Sequence, residues 1–366
     1  MSSDFDIAII GAGIAGASLA AEIGEEARVL LLEAEDMPGY HSTGRSAAFW
    51  EECYGGPDIV PLTRASGPYL EANGFLSPRG ALYLAREEDE LAIEGFFARF
   101  ADSGAEFTKI GRRELEVIVP GLKPHWDRAI RQVRCADIDV AGLHAHFLAR
   151  AKATGVALVC RARVASLVRH SDWYIKTAGC QEYTATTIVN AAGAWADDIA
   201  KMAGVAAKGI QPYRRTVAQL RVDPTPPSDL PLCLDISGNF YFRPEGDKLW
   251  LSPHDETPCM ACDAAPEELD VALAIDRLEE ATNWKIEAVE RKWAGLRSFS
   301  ADRLPIYGRD PALPEFFWFA GQGGFGIQTS PAAARLGAQL ILGKSWDEVT
   351  DRLQPAIYSP DRFDRE

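Results

Sequence analysis

The sequence predicts an α/β fold in which a parallel-sheet domain is interleaved with a mixed β-sheet domain. Three observations predict it. First, the apolar run 7–10 leads directly into Gly11-Ala12-Gly13, a stretch of small and apolar residues, and a second apolar run, Val29–Leu32. Short continuous apolar runs of this kind suit strands buried on both faces, and the whole reads as a βαβ unit of about 30 residues. Second, similar runs recur at 187–190, before Ala191-Ala192-Gly193, and at 316–320, before Gly321-Gln322-Gly323-Gly324-Phe325-Gly326. Third, the segments between them alternate apolar and polar residues, as half-buried strands do. A chain of 366 residues has room for two domains at about 150 residues each. The segments 1–49, 137–207 and 291–366 are assigned to the first, and 50–136 and 208–290 to the second.

Each element has its own local reason. The helix 14–23 is built of small residues and stops at Gly24. Segment 80–84 reads as a strand and 87–103 as an amphipathic helix. A helix is expected over 141–154, ending at Gly155. Strands are expected at 156–159 and 161–168, then a hairpin from 173–177 and 182–187, with 187–190 as a further buried strand. A Pro-rich turn at 223–227 interrupts the later strands. Segments 240–244 and 249–252 form a hairpin turned at Glu245-Gly246-Asp247. Helices follow at 272–281 and 327–342.

Composition excludes several function classes. The chain carries 38 basic and 53 acidic side chains, a net charge of −15, which disfavours nucleic acid or an anionic membrane as partner. The acidic clusters are short, as in Glu87-Glu88-Asp89-Glu90, and read as solvated surface. The first six residues carry two aspartates and no basic residue, unlike a signal peptide. The apolar stretch 7–21 is short of the ~20 residues that span a bilayer, so no integral membrane segment is expected. Seven scattered cysteines suit reduced thiols and a cytoplasmic location, free or peripheral to the inner membrane. The pair Cys259 and Cys262 lacks a second pair, so no metal site is expected.

Gly11-x-Gly13-x-x-Gly16 follows a strand and opens a helix. Gly11 permits the tight turn, Gly13 lets backbone approach a pyrophosphate, and Gly16 lets helix pack on strand. The helix N-terminus offers N–H groups and partial positive charge to phosphates. Glu33, 20 residues after Gly13, is placed to accept hydrogen bonds from a ribose. This is a Rossmann-like dinucleotide fingerprint. The donor-rich turn His41-Ser42-Thr43-Gly44-Arg45-Ser46 and the glycine turn 321–326 favour FAD over NAD. The first continues along the pyrophosphate, and the second points backbone N–H groups at charge developing on a flavin ring.

These motifs, with Val189-Asn190-Ala191-Ala192-Gly193-Ala194-Trp195 and Trp293-Ala294-Gly295-Leu296-Arg297, resemble the D-amino-acid oxidase superfamily of FAD enzymes. The turn Pro38 to Ala48, Leu76-Ser77-Pro78-Arg79 and Gly323 to Ser330 are most similar to its bacterial D-arginine dehydrogenases. The resemblance implies an FAD-binding domain roofed by a mixed sheet that holds the substrate. It assigns the cofactor Gly11, Ala12, Gly13, Ile14, Ala15, Gly16, Glu33 and Ala34 from the first unit. It adds His41, Ser42, Thr43, Arg45, Ser46, Ala47 and Ala48 from the turn, and Val164, Ala191, Ala192, Gly193 and Trp195 from the middle. Gly323, Gly324, Phe325, Gly326, Ile327 and Gln328 complete the set.

The implied reaction removes a hydride from the Cα of an amino acid to flavin N5, giving an imine that water converts to a 2-oxo acid. Arg297 matches the arginine that grips the substrate carboxylate, and Tyr241 the tyrosine beside it. Tyr54 matches a tyrosine on the covering loop, Gly324 a backbone carbonyl near the amine, and His254 a strand-end histidine. Two departures shape the expected substrate. Ala81 stands where D-arginine dehydrogenases carry an acid, and Phe49 where they carry a histidine. A neutral or hydrophobic D-amino acid is therefore expected, although Arg214 and Arg215 near the site could favour an acidic one. Sarcosine-oxidase relatives keep an oxygen-activating lysine at the position of Trp250, with Lys248 one pleat away. A dehydrogenase passing electrons to a quinone or other carrier is thus expected. The alternatives are an oxygen-using glycine, sarcosine or N-alkyl amino acid oxidase, a 2-hydroxy acid dehydrogenase with His254 as base, and a flavin-binding module without turnover.

Overall fold

The computed structural model describes residues 3–47 and 49–363. Its first sheet has eight strands. The opening strand Phe5–Ile10 lies between Val29–Leu32 and Glu182–Asn190, parallel to both. Ala157–Val159 extends the parallel array on one side and Phe316–Ala320 on the other. Burial on both faces explains the continuous apolar runs. Ile7, Ile9, Leu31 and Phe317 pack on one face with Leu19, Phe147 and Leu336 from three helices. Ala8, Ile10, Leu30 and Phe316 pack on the other with Trp173 and Ile199.

The second sheet has nine strands. At one edge Gln211–Asp223 pairs antiparallel with Lys285–Phe299 over its whole length. Lys248–Ser252, Tyr241–Glu245, Leu232–Asp235, Ala81–Ala85, Arg128–Gln132 and Phe107–Gly111 follow in order. Leu220, Phe240, Phe242, Leu249 and Leu251 bury one face against Val271, Ala274 and Leu278 of helix Glu268–Ala281. Strand alternation therefore turns Tyr241, Arg243 and Trp250 to the opposite face, which looks toward the first sheet. A third, small sheet joins Phe49–Trp50, Ala136–Ile138 and Leu76–Pro78. Among the described residues no helix is long and apolar enough to cross a membrane. All seven cysteines are free thiols.

Several expected elements change at their ends. The helix expected at 87–103 is Glu90–Arg99, preceded by a single 3-10 turn, Glu87–Asp89. The strand expected from 161 begins at Val164, because Arg161 adopts φ +55°. Segments 182–187 and 187–190 form one strand, whose first half pairs with the hairpin and whose second half pairs with Phe316–Ala320. The last helix begins at Ser330 rather than 327. Helix Val60–Ala72 is an element that the sequence analysis does not anticipate. Its Pro61 lies in the first turn, where no helical N–H partner is lost, and Pro68 lies inside it.

Gly16 fixes how closely the first helix meets the opening strand. A Cβ there would collide with the Gly11 carbonyl oxygen, a backbone atom that cannot move aside. We expect Gly16→Ala to destabilise the protein by about 1–3 kcal/mol through overpacking. Gly95, inside helix Glu90–Arg99, has no atom within 4 Å of an added Cβ. Gly95→Ala should leave the thermal melting midpoint unchanged or raise it, and equal midpoints for the two variants would contradict the packing argument.

Candidate active site

A long cavity begins at the C-terminal ends of the parallel strands and finishes beneath the second sheet. Its first part is lined by Gly11, Gly13, Ile14, Ala15, Glu33 and Ala34, by the turn His41 to Ala47, and by Val164, Ala191, Ala192, Gly193 and Trp195. Gly11 takes φ +101°, and a Cβ there would strike the Ala191 carbonyl oxygen. Helix Ile14–Ile23 opens on this cavity with no side-chain cap at Gly13. A glycine cradle facing a helix N-terminus, with the Ile14 N–H held by Thr43, fits the pyrophosphate of a dinucleotide. The Glu33 carboxylate is fixed at the wall, accepting from Ala12 N and Glu35 N at 3.0 Å each. His41 Nε2 lies 3.0 Å from Glu35 Oε1, and its ring lies 4.7 Å from that of Trp195.

Two expected donors are already committed. Ser42 Oγ donates to Leu296 O at 2.7 Å. Arg45 donates to Ala264 O at 2.8 Å and pairs with Asp263, which also accepts from the Tyr40 hydroxyl. The turn, whose Ser42 and Arg45 both line the cofactor cavity, thus ties it to strand Lys285–Phe299 and to the segment around Asp263. Thr43 Oγ1 accepts from Ile14 N at 3.0 Å. Four further assigned residues lie behind the wall. Ala12 donates to Glu33 and accepts from His144 Nε2, and Gly16 packs on Gly11. Phe325 packs in the core, while Gln328 Oε1 accepts from Glu51 N and its Nε2 donates to Thr63 Oγ1. Ala48 lies outside the described residues. Gly323, Gly324, Gly326 and Ile327 line the cavity.

The far end is built by one ladder. Tyr213 faces Arg297 and Arg215 faces Gly295 across the two long strands, so Arg215 and Arg297 project from the same face. Both line the cavity with Tyr241 and Gly324. Among the described residues Arg297 makes no hydrogen bond and no ion pair; its guanidinium lies 5.5 Å from the Tyr54 ring centre. Arg215 is 5% exposed. Its Nε donates to Asp255 O at 2.7 Å and its Nη2 to Glu256 at 3.3 Å, while Nη1 is buried without a partner. Burial, then the neighbouring Arg297, holds its pKa below the usual guanidinium value. Tyr54 does not line the cavity directly, but a Cβ on Gly324 would collide with its hydroxyl and press on Arg297. Gly324 is therefore the place where the covering loop, the arginine and the glycine turn meet.

His254 flanks this cluster. Its ring stands edge-on to Tyr241 with centroids 5.6 Å apart. Its Nδ1 lies 2.8 Å from Gly238 O, so Nδ1 carries the hydrogen and Nε2 keeps a lone pair. Burial, then the charges of Arg215 and Arg297, push its pKa down to about 3. Of the two consecutive arginines, Arg214 points the other way and pairs with Glu267 and Asp270. Strand alternation makes this separation, and it was the signal that would have selected Arg215. Tyr241 packs in a small apolar cluster with Ala81, Leu232, Cys135 and Phe49, which lie behind the cavity lining. Trp250 carries Arg243 at 4.3 Å from its ring centre and meets Trp293 at 5.0 Å. Lys248 is held by Asp247 at 3.2 Å and Glu290 at 3.1 Å.

The depressed pKa of His254 has a sign in stability. Its folded value lies below the ordinary 6.5, so its contribution is fully present above pH 6.5 and is lost as pH falls toward 3. Wild-type protein should lose more melting temperature between pH 7 and pH 5 than His254→Gln. Equal losses would contradict a buried neutral imidazole.

A family model described as FAD dependent oxidoreductase (DAO) matches residues 6–340. The mouse (Mus musculus) FAD-dependent oxidoreductase domain-containing protein 1 is 24% identical over 399 residues, covering 92% of this chain and 81% of its own. The L-2-hydroxyglutarate dehydrogenase of Escherichia coli strain K12 is 28% identical over 217 residues, covering 55% of this chain and 50% of its own. The solved glycine oxidase of Geobacillus kaustophilus superposes with a TM-score of 0.83 at 22% identity, covering 98% of both chains. With a cavity that fits a dinucleotide and a family model spanning most of its length, this chain belongs to the DAO family of FAD-dependent oxidoreductases, and its cofactor is FAD.

Proposed function

We propose that this chain oxidises the Cα–N bond of a D-amino acid with a neutral or hydrophobic side chain. The imine formed is then hydrolysed to a 2-oxo acid and ammonia. The observation that carries the reading is the pair Arg215 and Arg297, which bring unpaired guanidinium donors to one end of the cofactor cavity. Arg215 already has Glu256 as a partner anion, whereas half-buried Arg297 has none, and a substrate carboxylate supplies that anion with bidentate geometry. Tyr241 and Tyr54 close on the same carboxylate. The apolar cluster of Ala81, Leu232 and Phe49 packed behind Tyr241 offers no charge partner for a substrate side chain. The D configuration rests on the likeness of the 38–48 turn to the D-amino-acid enzymes. FAD, when bound, accepts the hydride from Cα. The neutral Nε2 of His254 takes the proton that leaves the substrate nitrogen, and the two arginines keep that nitrogen base uncharged.

A second reading is oxidation of a 2-hydroxy acid. One observation favours it: a neutral histidine with a free Nε2 beside the carboxylate clamp is the base that a hydroxyl proton needs. The electron acceptor is proposed to be a quinone or other carrier rather than oxygen, because Trp250 occupies the strand position of interest and two acids hold Lys248 aside. The division of the chain into an FAD-binding part and a substrate-binding part, and a cytoplasmic location, belong to the same proposal.

The test is anaerobic reduction of the yellow protein by D-amino acids, L-amino acids, sarcosine and 2-hydroxy acids, followed by admission of air. Bleaching by D-isomers with slow recovery in air is expected. Bleaching by 2-hydroxy acids alone would move the assignment to the second reading, and rapid recovery with peroxide would replace the carrier by oxygen. Arg297→Ala should weaken substrate binding by roughly 10- to 100-fold, the loss of a hydrogen bond to a charged group of about 1.5–3 kcal/mol. Unchanged half-saturation of bleaching would remove Arg297 from the clamp.

A further inference from the structure

Segment 259–264 lines neither the cofactor cavity nor the clamp, yet it is tied to the elements that build both. Its first end is zipped to the strand that carries Arg215. Pro258 and Thr257 pair with Tyr213 and Arg214. Cys259 N donates to Pro212 O at 3.1 Å, and Gln211 Nε2 donates to Cys259 O at 2.9 Å. Its other end is held by the cofactor turn. The Asp263 carboxylate pairs with Arg45 and accepts from the Tyr40 hydroxyl at 3.1 Å, while Ala264 O accepts from Arg45 at 2.8 Å. Tyr40 and Arg45 both line the cofactor cavity.

Between these two anchors lie Cys259-Met260-Ala261-Cys262. Both cysteines are free, and the side chain of Cys262 lies against the Cys259 thiol. Cys259 is half-buried, with its Sγ 3.9 Å from Pro212 O, and Cys262 is exposed. Burial, then the neighbouring Cys262, holds the Cys259 thiol above the usual thiol range. The exposed thiol is therefore the one that reacts first with a partner from solution, and the sheltered one is placed to resolve the product. Cysteines spaced in this way, facing each other at a surface, suit thiol–disulfide exchange. In a reducing compartment such a bridge is transient and reports the redox state.

We infer that Cys259 and Cys262 form a redox site: a low-molecular-weight disulfide converts them to an intramolecular disulfide, and the bridged protein holds FAD less tightly. The Cys262 thiolate attacks one sulfur of the small disulfide, forms a mixed disulfide and expels one thiolate. Cys259 loses its proton and attacks Cys262 Sγ, expelling the second thiolate. The two cysteine sulfurs give up two electrons and two protons, and the small disulfide becomes two thiols. Bridging draws the sulfurs from contact to covalent distance. Backbone hydrogen bonds fix Cys259 to its strand, so Cys262 makes the movement. Asp263, bonded next to it, is drawn away from Arg45, and the turn that lines the cofactor cavity loses that support. By reciprocity, bound FAD favours the dithiol. This goes beyond the reaction proposed above and holds whichever substrate is oxidised.

The test uses the holoenzyme equilibrated with mixtures of oxidised and reduced glutathione, then alkylated. A product lighter by two hydrogens is expected, with the bridge mapped by peptide mass to Cys259 and Cys262. The fluorescence of free FAD across a dilution series of each form gives its dissociation constant. The bridged form should bind FAD about fivefold more weakly or worse, the scale of an ordinary coupling between two sites. Reduction should restore the affinity, and excess FAD should shift the glutathione equilibrium toward the dithiol by the same factor. Cys262→Ser should form no bridge and bind FAD equally in both redox buffers. Absence of the bridge, a bridge between other cysteines or a stable glutathione adduct in its place would overturn the site. Equal affinities of the bridged and dithiol forms would overturn the coupling, as would a redox-dependent affinity that survives in Cys262→Ser. Should that variant fail to hold FAD, the peptide map and the reversal by reduction in the wild type decide.

Discussion

The antiparallel ladder between Gln211–Asp223 and Lys285–Phe299 is the constraint on which the site depends. Its register puts Arg215 and Arg297 on one face, two strands wide, above the cofactor cavity. A slip of one residue in either strand would turn its guanidinium to the opposite face, toward the apolar core against helix Glu268–Ala281, and separate the pair. The ladder also receives the cofactor turn, since Ser42 donates to Leu296 O and Trp293 donates to Arg45 O. The same backbone thus fixes the substrate clamp and its distance from the flavin-binding end. Preorganisation of this kind lets hydrogen bonds act on a substrate without the cost of arranging them.

The electrostatics of the site follow from burial. Two guanidiniums in a partly enclosed cavity disfavour further positive charge, and burial together with their charges pushes the His254 pKa down to about 3. Glu51, buried without a cation of its own, has its pKa pushed up to about 7 by the same loss of solvent.

Much of the cofactor half was legible in the sequence because it is local. Gly11, Gly13 and Gly16 lie within six residues, and the steric reasons for them are backbone contacts inside one βαβ unit or against Ala191. Apolar runs at 29–32 and 316–320 needed only their own burial to be recognised. The substrate half was less legible. Helix Val60–Ala72 carries two prolines, and one of them is harmless only because of where the helix begins. Ser42 and Arg45 are recognisable from the sequence as donors, but their partners Leu296 and Asp263 lie more than 200 residues away. Nothing near them in the sequence records those contacts.

By itself the sequence determined the α/β class, the dinucleotide turn, the FAD-dependent family and the arginine in Gly295-Leu296-Arg297. Each rests on short-range rules: strand burial, the backbone freedom of glycine, and motif spacing. Tertiary structure alone decided that Arg215 rather than Arg214 enters the cavity, that the pKa of His254 is depressed, and that Glu51 is buried without a cation. Those properties depend on which side chains from distant strands share one enclosed, poorly hydrated space. There the desolvation of a charge and the company it keeps outweigh anything its neighbours in sequence impose.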